Sequence, residues 1–162
     1  MAVPAPQMAQ WPWQKSYPPG IDWQARFQPR PLYRLLDEAA EKHGSKSCID
    51  FLDRHWSFAE IKGLSDRFAR GLLDQGLQPG DRVGLFLPNC PYFVIAYFGI
   101  LKAGGVVVNF NPLYAEREIE HQILDSGVTI MVTMGVGGLV AKLRPQFERT
   151  PLHRVIVCSL PK

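Results

Sequence analysis

Short, almost wholly apolar runs separated by helical segments constrain the fold of this chain more than any other feature. The runs occupy residues 82–87, 106–108, 128–132 and 155–157. A strand without a polar face is typical of a sheet that is covered on both sides. Strands that alternate with helices pair in parallel through right-handed crossovers. The pattern therefore predicts an open, mainly parallel α/β sheet with helices on both faces.

Helix and turn signals predict the boundaries of further elements. Ser57 and Glu60 have the spacing of a capping box, which begins a helix that closes at Gly76. A helix over 116–125 is expected to end with Gly127 at positive φ. The other predicted elements are a helix over 32–40 that ends at Gly44, a strand at 48–52, a turn at 78–81, and helices at 92–103 and 139–147.

The first 31 residues differ in composition from the rest of the chain. They hold seven of the 14 prolines and three of the four tryptophans. Proline excludes a long helix or a central strand, whereas the aromatic content is too high for a free disordered tail. We interpret residues 1–31 as an extended arm whose aromatic rings anchor it on the body, and residues 32–162 as an α/β subdomain. A membrane contact through the same rings with Arg26, Arg30 and Arg34 stays open, although the periodicity of an interfacial helix is missing.

Composition argues against several classes of protein. The formal net charge of +3 is too small and scattered to indicate a nucleic-acid partner. The three cysteines are far apart without metal-ligand spacing, so reduced thiols are expected. The first ten residues lack the features of a secretory signal, and the apolar stretch 92–108 is interrupted by Lys102 and too short to span a bilayer. These features predict a cytoplasmic protein; peripheral placement at the inner membrane face stays open.

Generic nucleotide-binding motifs are absent from the sequence. No P-loop pattern occurs, and the glycine run 135–138 has Val140 where a dinucleotide fingerprint needs its third glycine. Ser126 has no candidate base nearby in the sequence, and Cys90 is interpreted as a small buried side chain. The chain therefore offers no catalytic residue and no metal site of its own.

Four segments in a fixed order are more specific than these motifs. They read GDRVGLFLPN at 80–89, AYFGILKAG at 96–104, VNFNPLY at 108–114 and EIEHQILDSG at 118–127. In this order and spacing they resemble the N-terminal region of the adenylate-forming superfamily, and they are most similar to long-chain fatty-acid–CoA ligases. The resemblance runs from the first tryptophans to the C-terminus. It implies that the predicted sheet is an incomplete part of the large N-terminal domain of such an enzyme.

The resemblance implies a two-step activity for a full-length enzyme. A fatty acid reacts with ATP and Mg²⁺ to give acyl-AMP, and CoA then displaces AMP to give acyl-CoA. The family's phosphate loop, ribose-binding aspartate and C-terminal lysine have no counterpart in these 162 residues. The chain alone is therefore expected to be an inactive scaffold that binds none of these cofactors tightly. Its expected partners are the rest of its adenylation domain, the C-terminal domain and a second copy of itself.

Two other functional classes stay open on the sequence alone. One is a free-standing, non-catalytic binding or interaction module, and the other is a small self-sufficient nucleotide-binding enzyme, which the missing phosphate loops disfavour.

One candidate site follows from the resemblance. The turn Asn111, Pro112 and Leu113 follows an apolar strand at the edge where open α/β sheets bind ligands. The matching turn of related ligases lies near the CoA nucleotide, which implies a CoA contact in the full enzyme, while a purely structural Asn-Pro turn stays equally open. Ala115 departs from the family, which usually has threonine there as the N-cap of the next helix, so a weaker helix start is expected.

Overall fold

The computed structural model describes residues 11–159. Residues 1–10 of the predicted arm, with Pro4 and Pro6, and the last three residues of the predicted subdomain lie outside the described part. The chain divides into two compact units, Met1–Arg30 and Pro31–Lys162. In the first unit the described residues include a 3-10 helix, Pro12–Ser16.

The described part of the second unit alternates helices and strands. Helices α1 to α6 span Arg34–His43, Phe58–Asp74, Pro91–Lys102, Glu116–Ser126, Leu139–Leu143 and Gln146–Arg149. Strands β1 to β6 span Ser47–Phe51, Arg54–Ser57, Arg82–Phe86, Val106–Asn109, Ile130–Met134 and Arg154–Cys158.

Strands β3 to β6 form one parallel sheet in the order β4-β3-β5-β6. All of β5 and all of β3 after Arg82 are buried, whereas β4 and β6 at the sheet edges are only partly covered. The sequences of β3 and β5 are apolar except for Arg82 and Thr133, and therefore match central strands that are covered on both faces. The predicted open parallel sheet is confirmed.

The helices cover both faces of this sheet. Right-handed crossovers place α3, which connects β3 to β4, on one face, and α4 and α5, which connect in the opposite direction, on the other. Helix α2 packs along α3, and α1 packs on α2. The connections of β3 and β5 leave in opposite directions, so the topological switch point of the sheet lies between these two strands.

The capping box at the start of α2 is confirmed. Glu60 N–H donates to Ser57 Oγ at 3.2 Å, and Ser57 N–H donates to Glu60 Oε2 at 2.7 Å. The hydrogen bond from the Ser57 backbone, with a second from its hydroxyl, holds the pKa of Glu60 below its ordinary value. These contacts satisfy the amide groups that a helix N-terminus leaves without intrahelical partners.

A β-hairpin was missed by sequence reasoning. Strands β1 and β2 pair antiparallel in a separate two-stranded sheet. Their turn places Leu52 at φ 50° and Asp53 at φ 59°, both in the left-handed region. Glycine or asparagine usually occupies such positions in a two-residue hairpin turn, and this turn has neither. The usual sequence signal for a hairpin is therefore absent.

The predicted helix 139–147 is wrong as a single element. It is divided into α5 and α6 at Arg144 and Pro145. Proline lacks the N–H that a continuing helix requires, and its ring clashes with the carbonyl four residues before it. The fifth strand also begins two residues later than predicted and extends to Met134.

Candidate functional site

The turn at Asn111–Leu113 lies at the carboxyl end of the edge strand β4, as predicted. Asn111 Oδ1 accepts from Leu113 N–H at 3.0 Å, and the Asn111 carbonyl accepts from Tyr114 N–H at 3.0 Å. Phe110 N–H extends the β-ladder by donating to the Leu85 carbonyl at 2.9 Å. The turn is thus a hydrogen-bonded Asx turn, from which the Leu113 side chain projects with 86% of its surface exposed.

Two side chains hold this turn against neighbouring helices. Gln122 Nε2 donates to the Asn109 carbonyl at 2.9 Å, and Lys142 Nζ donates to the Tyr114 carbonyl at 2.7 Å. These bonds fix both ends of the turn, one from α4 and one from α5. Sequence reasoning had assigned no role to either residue.

A shallow cleft of about 520 Å³ adjoins the turn along α4. Its lining combines cationic, anionic and aromatic side chains, and consists of Tyr114, Arg117, Glu118, His121, Gln122 and Asp125. Gln122 Oε1 is buried and has no hydrogen-bond partner among residues 11–159. The cleft therefore offers the Arg117 guanidinium to a polar ligand, whereas the unpaired Gln122 oxygen is buried.

The helix that follows the turn has only half of a capping box. Glu118 Oε2 accepts from Ala115 N–H at 2.8 Å, but Ala115 has no side-chain oxygen to return to the Glu118 amide. The backbone of Ala115, at φ −73° and ψ 162°, already has the extended geometry of an N-cap. A hydroxyl at this position would complete the box without moving the chain.

We therefore expect Ala115→Thr to raise the free energy of unfolding by about 1 kcal/mol, the typical contribution of an N-cap oxygen. Urea titrations followed by circular dichroism measure the change. Ala115→Val is the matched control because it has the shape of threonine without the hydroxyl. An equal gain in both variants would show that the cap is not the cause.

The switch point brings a second set of backbone segments to the carboxyl edge. Residues 87–90 follow β3 and residues 135–138 follow β5, with Gly137 at φ 59° and Gly138 at φ 73°. Tyr92, on the first turn of α3, donates from its hydroxyl to the Ser159 carbonyl at 2.6 Å and so links α3 to the segment after β6. The sequence pattern of the glycine run does not indicate this position, because only the strand order shows that the run lies at the switch point.

Other chemical candidates are structural. The Ser126 hydroxyl donates to the Gln122 carbonyl within α4. Cys90 is buried. The pKa of a second thiol, Cys158, is raised to about 11, mainly because Cys158 is itself partly buried and to a smaller extent because of Cys90. A thiol with such a pKa is not ionised at neutral pH and is a poor nucleophile.

The described residues do not themselves fit Mg²⁺ and ATP. Within residues 11–159 no group of three or more His, Cys, Asp or Glu side chains is arranged to hold a metal ion. At the carboxyl edge Lys142 is engaged by the Tyr114 carbonyl, and the glycine run 135–138 brings no cation. In the same part of the chain, no helix combines the length and the apolarity needed to cross a bilayer.

Comparison with known proteins places these features in a family. Residues 36–160 match the profile of the AMP-binding enzymes. Two long-chain-fatty-acid–CoA ligases are each 39% identical to the chain, that of Bacillus subtilis (strain 168) over 126 residues and that of Yersinia pestis over 152 residues. The matches cover 78% and 91% of this chain but 22% and 26% of those proteins, so the chain spans about a quarter of the length of these relatives.

The fold agrees with the same relationship. The crystal structure of a long-chain-fatty-acid-CoA ligase (FadD1) from Archaeoglobus fulgidus superposes with a TM-score of 0.75 at 28% identity, covering 85% of this chain and 29% of that one. The N-terminal domain of FACL13 from Mycobacterium tuberculosis has the same fold, with a TM-score of 0.73 at 23% identity over 80% of this chain and 34% of that one. The chain belongs to the AMP-binding enzyme family.

Proposed function

We propose that this chain forms the first part of the adenylation domain of a fatty-acid–CoA ligase. The observation that carries the proposal is the 39% identity to the Yersinia pestis ligase over 152 residues, 91% of the chain. In the proposed whole protein, a fatty acid carboxylate is activated with ATP and Mg²⁺ to acyl-AMP, and its acyl group is then transferred to CoA.

The part of these residues in that reaction is scaffolding. The central strands β3 and β5 are buried, and the groups of the candidate site lie on the turn after β4 and along α4. Since the described residues supply no group of metal ligands, we assign phosphate chemistry to other parts of the proposed enzyme.

The partners in this proposal are the rest of the adenylation domain, the C-terminal domain and the fatty acid. The sheet, as described, ends at β4 on one side and β6 on the other, and half of the surface of Val157 on β6 is exposed. An uncovered strand edge pairs readily with another chain. We therefore include self-association of the isolated chain in the proposal. We also include peripheral association of the whole protein with a bilayer, because long-chain acids accumulate there.

A hybrid protein tests the proposed function. The first quarter of the Yersinia pestis ligase is replaced with this chain, and AMP and palmitoyl-CoA are measured with ATP, Mg²⁺, palmitate and CoA. We expect the hybrid to form both products and the 162-residue chain alone to form neither. Turnover by the chain alone would contradict the scaffold role. An insoluble or inactive hybrid would contradict the proposal that this chain forms the first part of the adenylation domain of such a ligase.

We further propose that the turn Asn111–Leu113 contacts the CoA nucleotide. The turn is held by internal hydrogen bonds, Asn111 and Leu113 are exposed, and the turn adjoins the cleft that contains Arg117 and His121. Asn111 Oδ1 is used within the turn, and Asn111 Nδ2 makes no hydrogen bond to residues 11–159, so the amide group is the donor that faces a ligand in this proposal.

The variant Asn111→Asp in the hybrid tests the contact. Aspartate keeps the oxygen that accepts from Leu113 N–H, but it replaces the donor with a negative charge that repels a phosphate. We expect the KM for CoA to rise by roughly tenfold, the effect of one charge-assisted contact, while palmitate-dependent exchange of pyrophosphate into ATP, which needs no CoA, is unchanged. Gln78→Glu, on the turn before β3 at the opposite edge, is the charge control; equal KM values in both variants would refute the assignment.

A further inference from the structure

The first compact unit carries the largest exposed aromatic surface among the described residues. We call residues 11–30 the aromatic arm. Its five large rings are each at least 45% exposed, namely Trp11 at 55%, Trp13 at 53%, Tyr17 at 53%, Trp23 at 45% and Phe27 at 89%. Concentrated apolar exposure of this kind marks an interaction site, whereas single exposed apolar residues do not.

The rings are ordered by local contacts within the arm. Trp11 and Trp13 stack with centroids 5.0 Å apart and an interplanar angle of 6°, and Tyr17 meets Trp23 edge-on at 4.8 Å and 77°. The Trp11 amide donates to Gln14 Oε1 at 2.8 Å, which fixes the start of the 3-10 helix. The aromatic arm therefore presents paired rings on a structured segment, so little conformational entropy is lost when they bind.

The arm carries a net positive charge, and its charged side chains are exposed like its rings. Residues 11–30 contain three cationic side chains (Lys15, Arg26 and Arg30) and one carboxylate (Asp22), which gives a formal net charge of 3 − 1 = +2. This is most of the formal net charge of +3 of the whole chain. An anionic partner surface is thus favoured over a neutral or cationic one.

Rings with polar edges next to cations are the chemistry of a membrane interface. Indole and phenol rings prefer the headgroup level of a bilayer, where one end is apolar and the other hydrated. Basic residues beside them are attracted by anionic lipids. The described part of the arm has no long amphipathic helix of the kind common in interfacial anchors, since its prolines prevent one. Its stacked and edge-on ring pairs present exposed apolar surface instead.

We propose that the aromatic arm is a membrane-contact surface that binds the protein to anionic lipid bilayers through its exposed rings and cations. The aromatic arm would be the surface through which the peripheral association included in the proposed function takes place. The biological purpose of this contact, access to a membrane-dissolved fatty acid, rests on that proposed function. Binding to lipid itself requires no ligase activity.

Vesicle sedimentation of the 162-residue chain tests the proposal directly. We expect the chain to pellet with vesicles of equal amounts of phosphatidylcholine and phosphatidylglycerol, and to bind pure phosphatidylcholine more weakly. Replacing Trp11, Trp13 and Trp23 together with serine should weaken binding to both vesicles by roughly tenfold or more, because the interfacial rings are lost. Lys15→Gln with Arg26→Gln should weaken binding by roughly tenfold to the anionic vesicles alone.

Phe147→Ser is the matched control, since Phe147 is an exposed ring of α6 in the other unit, at 46%. It should bind vesicles like the unchanged chain. Brominated lipids add an independent readout because three of the four tryptophans lie in the arm and the fourth is Trp56. Quenching should disappear in the triple serine variant.

An unchanged chain that stays in the supernatant with both vesicles would overturn the proposal and leave the rings to a protein partner. Equal binding by the triple serine variant would overturn it as well. Neither result bears on the hybrid enzyme assay, so a failure here is distinguishable from a failure of the proposed function.

Discussion

Replacing Lys102 with methionine is expected to lower the free energy of unfolding at pH 7 by about 2–3 kcal/mol, somewhat less than the loss of one partner from a fully buried ion pair. Lys102, at the end of α3, has only 10% of its side chain exposed. Its Nζ lies 2.6 Å from Asp37 Oδ1 on α1 and 2.5 Å from Asp66 Oδ1 on α2. Methionine keeps the apolar stem but leaves two neighbouring carboxylates without their shared cation.

The pH dependence of this loss has a defined sign. Burial raises the pKa of Asp66, but hydrogen bonds from Lys102 and Lys62 outweigh it and hold the pKa below its ordinary value. A carboxyl whose pKa is lower in the folded state stabilises that state fully above its unfolded pKa, about 4, and loses this contribution as the pH falls through the folded pKa. The difference between the parent and Lys102→Met should therefore narrow below about pH 4.

Urea titration followed by circular dichroism suits this measurement, because most of the tryptophans lie outside the second unit. Arg70→Met is the matched control, since it breaks the ion pair of Arg70 with Asp74 on α2, where the side chains are 76% and 58% exposed. An exposed pair of this spacing contributes about 0.3–0.5 kcal/mol. Equal losses in the two variants would show that Lys102 does not join the three helices.

Replacing Gly99 with valine is expected to destabilise the second unit by about 3 kcal/mol or more, the upper range for overpacking of a well-packed interface. A Cβ at Gly99 on α3 would lie 2.7 Å from Phe68 Cδ1 and 3.0 Å from the Ser65 carbonyl oxygen on α2. The carbonyl belongs to helix backbone, and the Phe68 Cβ at 3.1 Å keeps the ring from moving away freely. The two helices would have to separate.

Gly71→Val is the control for the second prediction. A Cβ at Gly71 on α2 meets nothing within 4 Å. We expect the unfolding free energy of this variant to stay within about 0.5 kcal/mol of the parent, as for most open positions. A small effect at Gly99, comparable with that at Gly71, would mean that α2 and α3 are not held in close contact.

The parallel sheet was predictable because strands that are buried on both faces have an almost continuously apolar sequence. Strands β3 and β5 are each apolar at all positions but one, and the helices between them prevent hairpin pairing. The capping box at Ser57 was predictable for a similar reason, since its contacts are local. The β1–β2 hairpin has no comparable sequence signal, because its left-handed turn positions are occupied by Leu52 and Asp53 and not by glycine or asparagine.

The surroundings of the candidate site depend on contacts between distant residues. The sequence placed the turn Asn111–Leu113 after a strand, but it did not show that Gln122 and Lys142 hold the turn. It also showed Lys102 only as an interruption of an apolar stretch, whereas the fold brings it to Asp37, 65 residues away. Pairings of this kind depend on strand order and helix packing, which local patterns do not encode.

The strand order has a consequence for synthesis on the ribosome. β3 ends at Phe86, yet both of its neighbours are translated later, and β5 ends at Met134, which is 134 − 86 = 48 residues further along. At a translation rate of about 5–20 residues per second, roughly 2–10 s pass between the synthesis of β3 and that of β5, and one edge of β3 is unpaired during this time. The nascent polypeptide is therefore most open to chaperone capture, and to misassembly with neighbouring nascent chains, during this interval.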